Sequence, residues 1–259
     1  MTISKGDVQI QTLDVWKACA GPKKSEHWQD HRSAKEGARA WLGVTSPELP
    51  PGLAELLMSH ADFDRVTGWT AEPEAKIRFD SFAGEPRNTD LLVLANDSFG
   101  VFVISVEAKG HETFGPTIIQ AISTAKKYKN ENPRSNGLAR IEQLCVAICG
   151  TSPQTDPHVG KLRYQLLTAA AGALHAATVS GCKRAVLLVH EFKTKLTSDR
   201  RHSENAADLK AFVRRLSNES EVDLERLNGP LLVPGTPLFK TPPDLYIGKI
   251  VCDIRSRAN

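Results

Sequence analysis

No stretch of this 259-residue chain approaches 18 consecutive apolar residues, so no membrane-spanning helix is expected. The first residues, MTISKGDVQI, lack the apolar run of a secretory signal, and the cytoplasm is the expected compartment. Cysteine is sparse. Cys19, Cys145, Cys149, Cys182 and Cys252 form an odd set at scattered spacing, which argues against a disulfide framework. Cys145 and Cys149 share one face of an expected helix, but no second pair stands at zinc spacing, and both read as buried thiols. There is no GxSxG, no P-loop and no GxGxxG, which argues against a serine-hydrolase elbow, an ATPase and a dinucleotide enzyme. His111-Glu112 fails the HExxH zinc pattern because position 115 is Gly. Strong charge of one sign is also missing. The net charge of +3 is mildly basic and does not by itself declare a nucleic-acid binder.

What is present is an ordinary globular composition, 24% charged and 41% hydrophobic. No repeat, low-complexity tract or linker divides it. One domain over residues 1–259 is expected, with a core over about residues 30–195 and residues 196–259 packed on it as an extension. Ser33 and Glu36 suggest a capping box ahead of a helix over Ala34–Leu42. LAELLMSHADF reads as a second helix and AKIRF as a strand. Helices are also expected in GPTIIQAISTAKKYK, SNGLARIEQLCVAICG, KLRYQLLTAAAGALHAATVSG and TSDRRHSENAADLKAFVRRL. RAVLLVHEF and LYIGKIVCDI read as strands, and TSPQTDPHVG and GPLLVPGTPLFKTPPD as irregular chain. The sum is α+β, an α/β sandwich with a mixed sheet.

The clearest unit is DLLVLANDSFGVFVISVEAKG. Two β-rich runs flank the turn chemistry of Asn96-Asp97-Ser98-Phe99-Gly100, and the unalternating apolar run Val101–Val106 predicts a strand covered on both faces. That run ends in Glu107 and Lys109, which share a face because side chains alternate along a strand. With Asp97–Gly100 as the turn, Asp90 falls opposite Glu107, at a Cβ separation of about 4.5–5.5 Å. Two unpaired carboxylates so close would repel and raise one pKa, which a divalent cation between them relieves. Hard oxygen ligands with open positions suit Mg²⁺ or Mn²⁺, and Lys109 beside them could orient a water or offset charge on a phosphate. Strand ends also carry charge simply because they reach solvent. The ordered set of two carboxylates and a lysine at one end weighs against that plain reading.

Asp90 followed by Glu107-Ala108-Lys109 resembles the signature of the PD-(D/E)xK nuclease superfamily, with Thr89-Asp90 standing where Pro-Asp is frequent. The element order is similar too: an early helix, AKIRF, DLLVLA, VFVISVEAK, a later helix and RAVLLVHEF. EHWQDHRSAKEGARAWL, PEAKI, VEAKGHETFGPT and LRYQLLTAAAGAL further resemble an uncharacterised bacterial group within that superfamily. The resemblance implies a restriction-endonuclease-like sheet with a central antiparallel hairpin flanked by helices, and extra helices inserted after the ExK strand. It implies Asp90 and Glu107 as ligands of Mg²⁺ or Mn²⁺, the Ala108 carbonyl as a further ligand, and Lys109 as the catalytic lysine. Glu74, just before the first strand, is the candidate upstream acid, with Glu36 and Glu55 as rivals; each also reads as a surface carboxylate. Gln120, His111 and Arg163 are accessory candidates that read equally as solvated or structural residues.

The expected activity is metal-dependent phosphodiester hydrolysis of nucleic acid, DNA first, with a homodimer suggested by analogy and no membrane partner. The alternative is a silent binding module that keeps the fold. Trp16, Trp28, Trp41 and Trp69 read as core, not as base-stacking platforms.

Overall fold

The computed structural model describes residues 1–217 and 221–256. Two short strands, β1 (Thr2–Lys5) and β2 (Val8–Gln9), open the chain, followed by helices α1 (Leu13–Ala20), α2 (Ser33–Leu42) and α3 (Leu53–Met58). Strands β3 (Gly68–Ile77), β4 (Arg87–Asp97) and β5 (Gly100–Lys109) come next. Helices α4 (Ile118–Glu131), α5 (Gly137–Cys149), α6 (Pro157–Lys161) and α7 (Tyr164–Val179) lead to β6 (Arg184–Lys193). The last elements are α8 (Asp199–Ser217), β7 (Asn228–Leu231) and β8 (Asp244–Asp253). Among the described residues the strands form one eight-stranded mixed sheet in the order β2-β1-β3-β4-β5-β6-β8-β7. Strand β4 pairs antiparallel with β3 on one side and β5 on the other, and β5, β6 and β8 run parallel. No helix among the described residues is long and apolar enough to cross a membrane.

The β4–β5 hairpin has the register that its turn chemistry suggests, with Asp97 opposite Gly100 and Leu91 opposite Val106. Gly100 sits at φ +106°, a conformation open to a residue without Cβ. The apolar run of β5 is covered on both faces. Phe102, Ile104 and Val106 join the four tryptophans in a core beneath α1, α2 and α3. Val103 packs with the Ala- and Leu-rich side of α7 in a second core that also takes in α4, α5 and α8. Cys145 and Cys149 are buried there as free thiols, and burial pushes both up to about 12.

Several boundaries differ from the sequence reading. The AKIRF strand starts much earlier, at Gly68, and stops before Arg78. Pro73 reads as a strand breaker, but β1 pairs with β3 only as far as Ala71, so Pro73's missing N–H faces no neighbour on that side. The α2 capping box does not form. Ser33 is inside the helix, and the Glu36 carboxylate accepts the His31 N–H at 2.8 Å. The LAELLMSHADF helix stops at Met58, and GPLL holds the short strand β7. TSPQTDPHVG contains α6, whose Asp156 cap and Pro157 at the first turn are helix-start signals.

Candidate active site

Strands β3 and β4 both break their pattern at one level. The β3–β4 register passes from Pro73↔Leu91 to Ala75↔Thr89, leaving Glu74 and Asp90 outside the ladder. Glu74 has φ +51°, rare for a residue with a side chain, and it lies within β3 rather than ahead of it. On the other side, the β4–β5 ladder ends at Leu91↔Val106. There Asp90 Oδ2 accepts the Ala108 N–H at 2.7 Å, so a side chain takes the place of the next ladder carbonyl. The expected Asp90–Glu107 neighbourhood therefore exists, but as a carboxylate folded back against the strand that carries the ExK residues.

Glu107 and Lys109 point to the α7 side and are each only 3% exposed. Glu107 Oε1 accepts from Lys109 Nζ at 2.6 Å and from Gln165 Nε2 of α7 at 2.6 Å. Its Oε2 accepts from Arg87 Nη2 at 2.6 Å. Arg87 also donates from Nη1 to Thr168 Oγ1 of α7 at 2.9 Å. Room for the arginine comes from Gly172, where a Cβ would meet Arg87 Cδ at 3.1 Å and Nε at 3.3 Å. Lys109 Nζ lies 5.4 Å from the Phe114 ring centroid.

The electrostatics follow from this crowding. Burial and the Glu107 charge push the Asp90 carboxyl up to about 7. Burial would raise Glu107 as well, but Lys109 and Arg87 outweigh it and hold the carboxyl below its usual value. For Lys109, burial works downward and is overcome by Glu107 and Asp90, so the ammonium is held on more tightly than usual. Glu74 is raised, first by burial, with Glu107 adding to it against Asn88 and Lys5. Its carboxylate accepts from the Asn88 amide, and its backbone carbonyl accepts Lys5 Nζ at 2.8 Å.

A cavity of about 50 Å³ borders Asp90, Glu74, Ala108, Gly37, Trp28 and His190. Asp90, Glu74 and the Ala108 backbone offer hard oxygens of the kind Mg²⁺ and Mn²⁺ take, and the space suits an ion or one or two waters. Chemistry and space thus fit a divalent cation at this wall. As the side chains stand, however, no three Asp, Glu, His or Cys groups among the described residues enclose a metal position. Glu107, on the α7 side, does not border this cavity, and it would join the set only by releasing the donors that hold both its oxygens.

The remaining candidates are distributed unevenly. Gln120 does not reach the site: its amide oxygen accepts the Thr117 N–H at 2.9 Å and closes the capping box of α4. The TIIQ spacing carried that signal. Arg163 is held by Asp208 Oδ2 at 2.8 Å and the Gly115 carbonyl at 2.7 Å, tying the start of α7 to α8. His111 lies beyond the end of β5, bonded to Arg32 and 3.2 Å from Glu112, and burial lowers its pKa against the pull of Glu112. Glu36 is buried on α2, where it also pairs with Arg39 at 2.8 Å, and Glu55 is exposed on α3. Arg87 and Gln165 are the two site residues that sequence reasoning did not assign. Gln165 lies near the start of the expected helix KLRYQLLTAAAGALHAATVSG, whereas nothing local marks Arg87.

No curated protein and no solved structure matches the chain. A family described as a domain of unknown function (DUF6946) matches residues 9–241. That match spans nearly the whole chain, and the protein belongs to this family.

Proposed function

We propose that the protein is a metal-dependent nuclease that hydrolyses phosphodiester bonds of nucleic acid, DNA first, on a restriction-endonuclease-like sheet. The observation that carries this reading is the meeting of Asp90, Glu107 and Lys109 at the level where β3 and β4 leave their ladder. The run α2, β3, β4, β5, then α7 and a parallel β6, supports it with the element order of the PD-(D/E)xK superfamily.

In this reading Asp90, Glu107 and the Ala108 carbonyl would hold the ion, with Glu74 across the broken ladder as a further oxygen donor. The bound cation supplies a lowered water pKa and charge neutralisation on the phosphate. Glu107 and Asp90 outweigh burial and keep Lys109 protonated, so its Nζ would be the donor that offsets charge on the phosphate. Gln165 orients Glu107 from α7. The buried setting strengthens each of these interactions relative to water.

The test is cleavage of single-stranded DNA, duplex DNA and RNA with Mg²⁺ or Mn²⁺, for wild type and for Lys109→Met, Asp90→Asn and Glu107→Gln. Metal-dependent cleavage lost by more than about 100-fold in each variant supports the reading. It is abandoned if wild type cleaves none of the three and calorimetry shows no Mn²⁺ binding sensitive to Asp90→Asn. The second reading, a catalytically silent binding module, draws on the full occupation of Glu107's oxygens by Arg87, Lys109 and Gln165.

A further inference from the structure

Behind Glu107, on the far side of Arg87, a cleft of about 230 Å³ opens between the β3–β4 connection and helices α5 and α7. Its lining includes Arg78, Arg87, Arg140, Tyr164, Phe79 and Asn88. Three guanidinium groups here meet two carboxylates, Asp80 and Glu85. Asp80 is committed to Arg140, with Oδ2 at 2.8 Å from Nε and Oδ1 accepting from Nη2 at 3.0 Å. Glu85 is almost fully exposed and leans toward Lys23 at 3.8 Å. Arg78 donates to two carbonyls, Phe82 O at 3.0 Å and Gly84 O at 2.8 Å, which fix its direction without neutralising its charge. The cleft is therefore electropositive. Since a water's share of liquid volume is about 30 Å³, it admits a phosphate group with space beside it.

Arg87 belongs to both places. It lines the cleft, and its Nη2 also occupies Glu107 Oε2. A divalent cation that uses Glu107 has to compete with this guanidinium for the same oxygen. An anion in the cleft offers Arg87 an alternative partner of like charge and fork geometry.

We propose that this arginine cleft binds a backbone phosphate of the nucleic-acid strand next to the scissile one, and that the bound phosphate draws Arg87 off Glu107 so that the carboxylate is freed for the metal. The inference rests on the nuclease reading. Strand and metal then bind cooperatively, and by linkage each tightens the other by the same factor. Without a strand, Glu107 stays neutralised by Arg87 and Lys109, and the site does not load fully. Arg87 is in this scheme a positioning residue that acts through Glu107.

The experiment uses the full chain and a phosphorothioate-linked hexathymidylate, with binding read by fluorescence anisotropy in EDTA and Mn²⁺ binding read by calorimetry. The expected result is that the oligonucleotide tightens Mn²⁺ binding at least about tenfold, within the usual range of coupling. Arg78→Gln weakens the oligonucleotide in EDTA but leaves Mn²⁺ binding alone unchanged. Arg87→Gln tightens Mn²⁺ binding alone and removes the coupling.

Equal Mn²⁺ affinity in wild type and folded Arg87→Gln, with binding still lost in Asp90→Asn, would overturn the cleft proposal and leave the nuclease reading standing. If neither protein binds Mn²⁺ with or without oligonucleotide, both readings fall. If inorganic phosphate competes as well as the oligonucleotide, the cleft takes a free anion and the strand assignment is wrong. Should Arg87→Gln fail to fold by circular dichroism, Arg78→Gln decides: unchanged oligonucleotide affinity rejects the cleft, and a loss of about tenfold or more supports it.

Discussion

The β4–β5 hairpin carries buried ion pairs at both ends, and the two ends are built on opposite principles. At the turn, Arg184 meets Asp97 fork to fork, with Nη1–Oδ2 and Nη2–Oδ1 both 2.8 Å. Its other two Nη hydrogens go to the Asp62 and Gly100 carbonyls, and its central carbon lies within 5 Å of the Phe63 and Phe102 ring centroids. Burial would raise the Asp97 carboxyl, but Arg184 outweighs it and holds it low. At the open end, two cations and an amide crowd one carboxylate, Asp90 is raised to about 7, and Arg87 Nε has no hydrogen-bond partner. One end satisfies every group; the other holds its charges in unresolved tension. Such local conflict is the pattern on which the proposed function draws.

Breaking the satisfied end is expected to have the largest effect. Asp97→Ala leaves a buried guanidinium without its counter-charge and is expected to cost about 3–5 kcal/mol in urea unfolding; a cost below about 1 kcal/mol would erase the contrast. Gly172→Ala pushes a methyl into the Arg87 stem and is expected to cost about 1–3 kcal/mol. It should also loosen Arg87 from Glu107, visible as Mn²⁺ binding stronger than in wild type.

Asp90→Asn sharpens the comparison through pH. The Asp90 pKa is raised in the folded protein, so the fold binds that proton more tightly than the unfolded chain, and wild type gains stability as pH falls from above 7 toward 4. Removing the charge should therefore stabilise by at least about 1 kcal/mol at pH 8, with the gain fading by pH 5. A gain that persists unchanged at pH 5 would contradict the assignment. The smallest effect is expected for Lys109→Met. Glu107 keeps Arg87 and Gln165, so the unfolding free energy should shift by less than about 1 kcal/mol, while cleavage is lost.

How far these ends could be read from sequence differs in the same way. The hairpin, its register and the double coverage of β5 follow from the Asn96–Gly100 turn and the apolar run Val101–Val106, which are local signals. Asp90, Glu107 and Lys109 could be placed together because hairpin register is local as well. Arg87 and Gln165 reach Glu107 from 20 and 58 residues away, a relation that only tertiary packing creates. Glu74 at positive φ has no sequence sign, since Glu does not ordinarily adopt that conformation. Gly172 reads as one more small residue in an Ala-rich helix, and its function as clearance for an arginine depends on what crosses it. β1, joined in parallel to β3 across more than 60 residues, is equally invisible to local pattern.

The sheet also tapers. Its interior strands β3 to β6 are ten or eleven residues long, but its margins are β2 with two residues and β7 with four, and β7 includes Pro230, which has no N–H to offer. These two margins offer a second copy at most four residues of strand, although β3 beyond Ala71 and β8 beyond Ile247 keep longer stretches with no strand beside them on that side. The terminal strands themselves are thus too short to seed an extended ladder, and any strand-to-strand continuation would have to use those longer stretches, a restraint set by geometry rather than by charge.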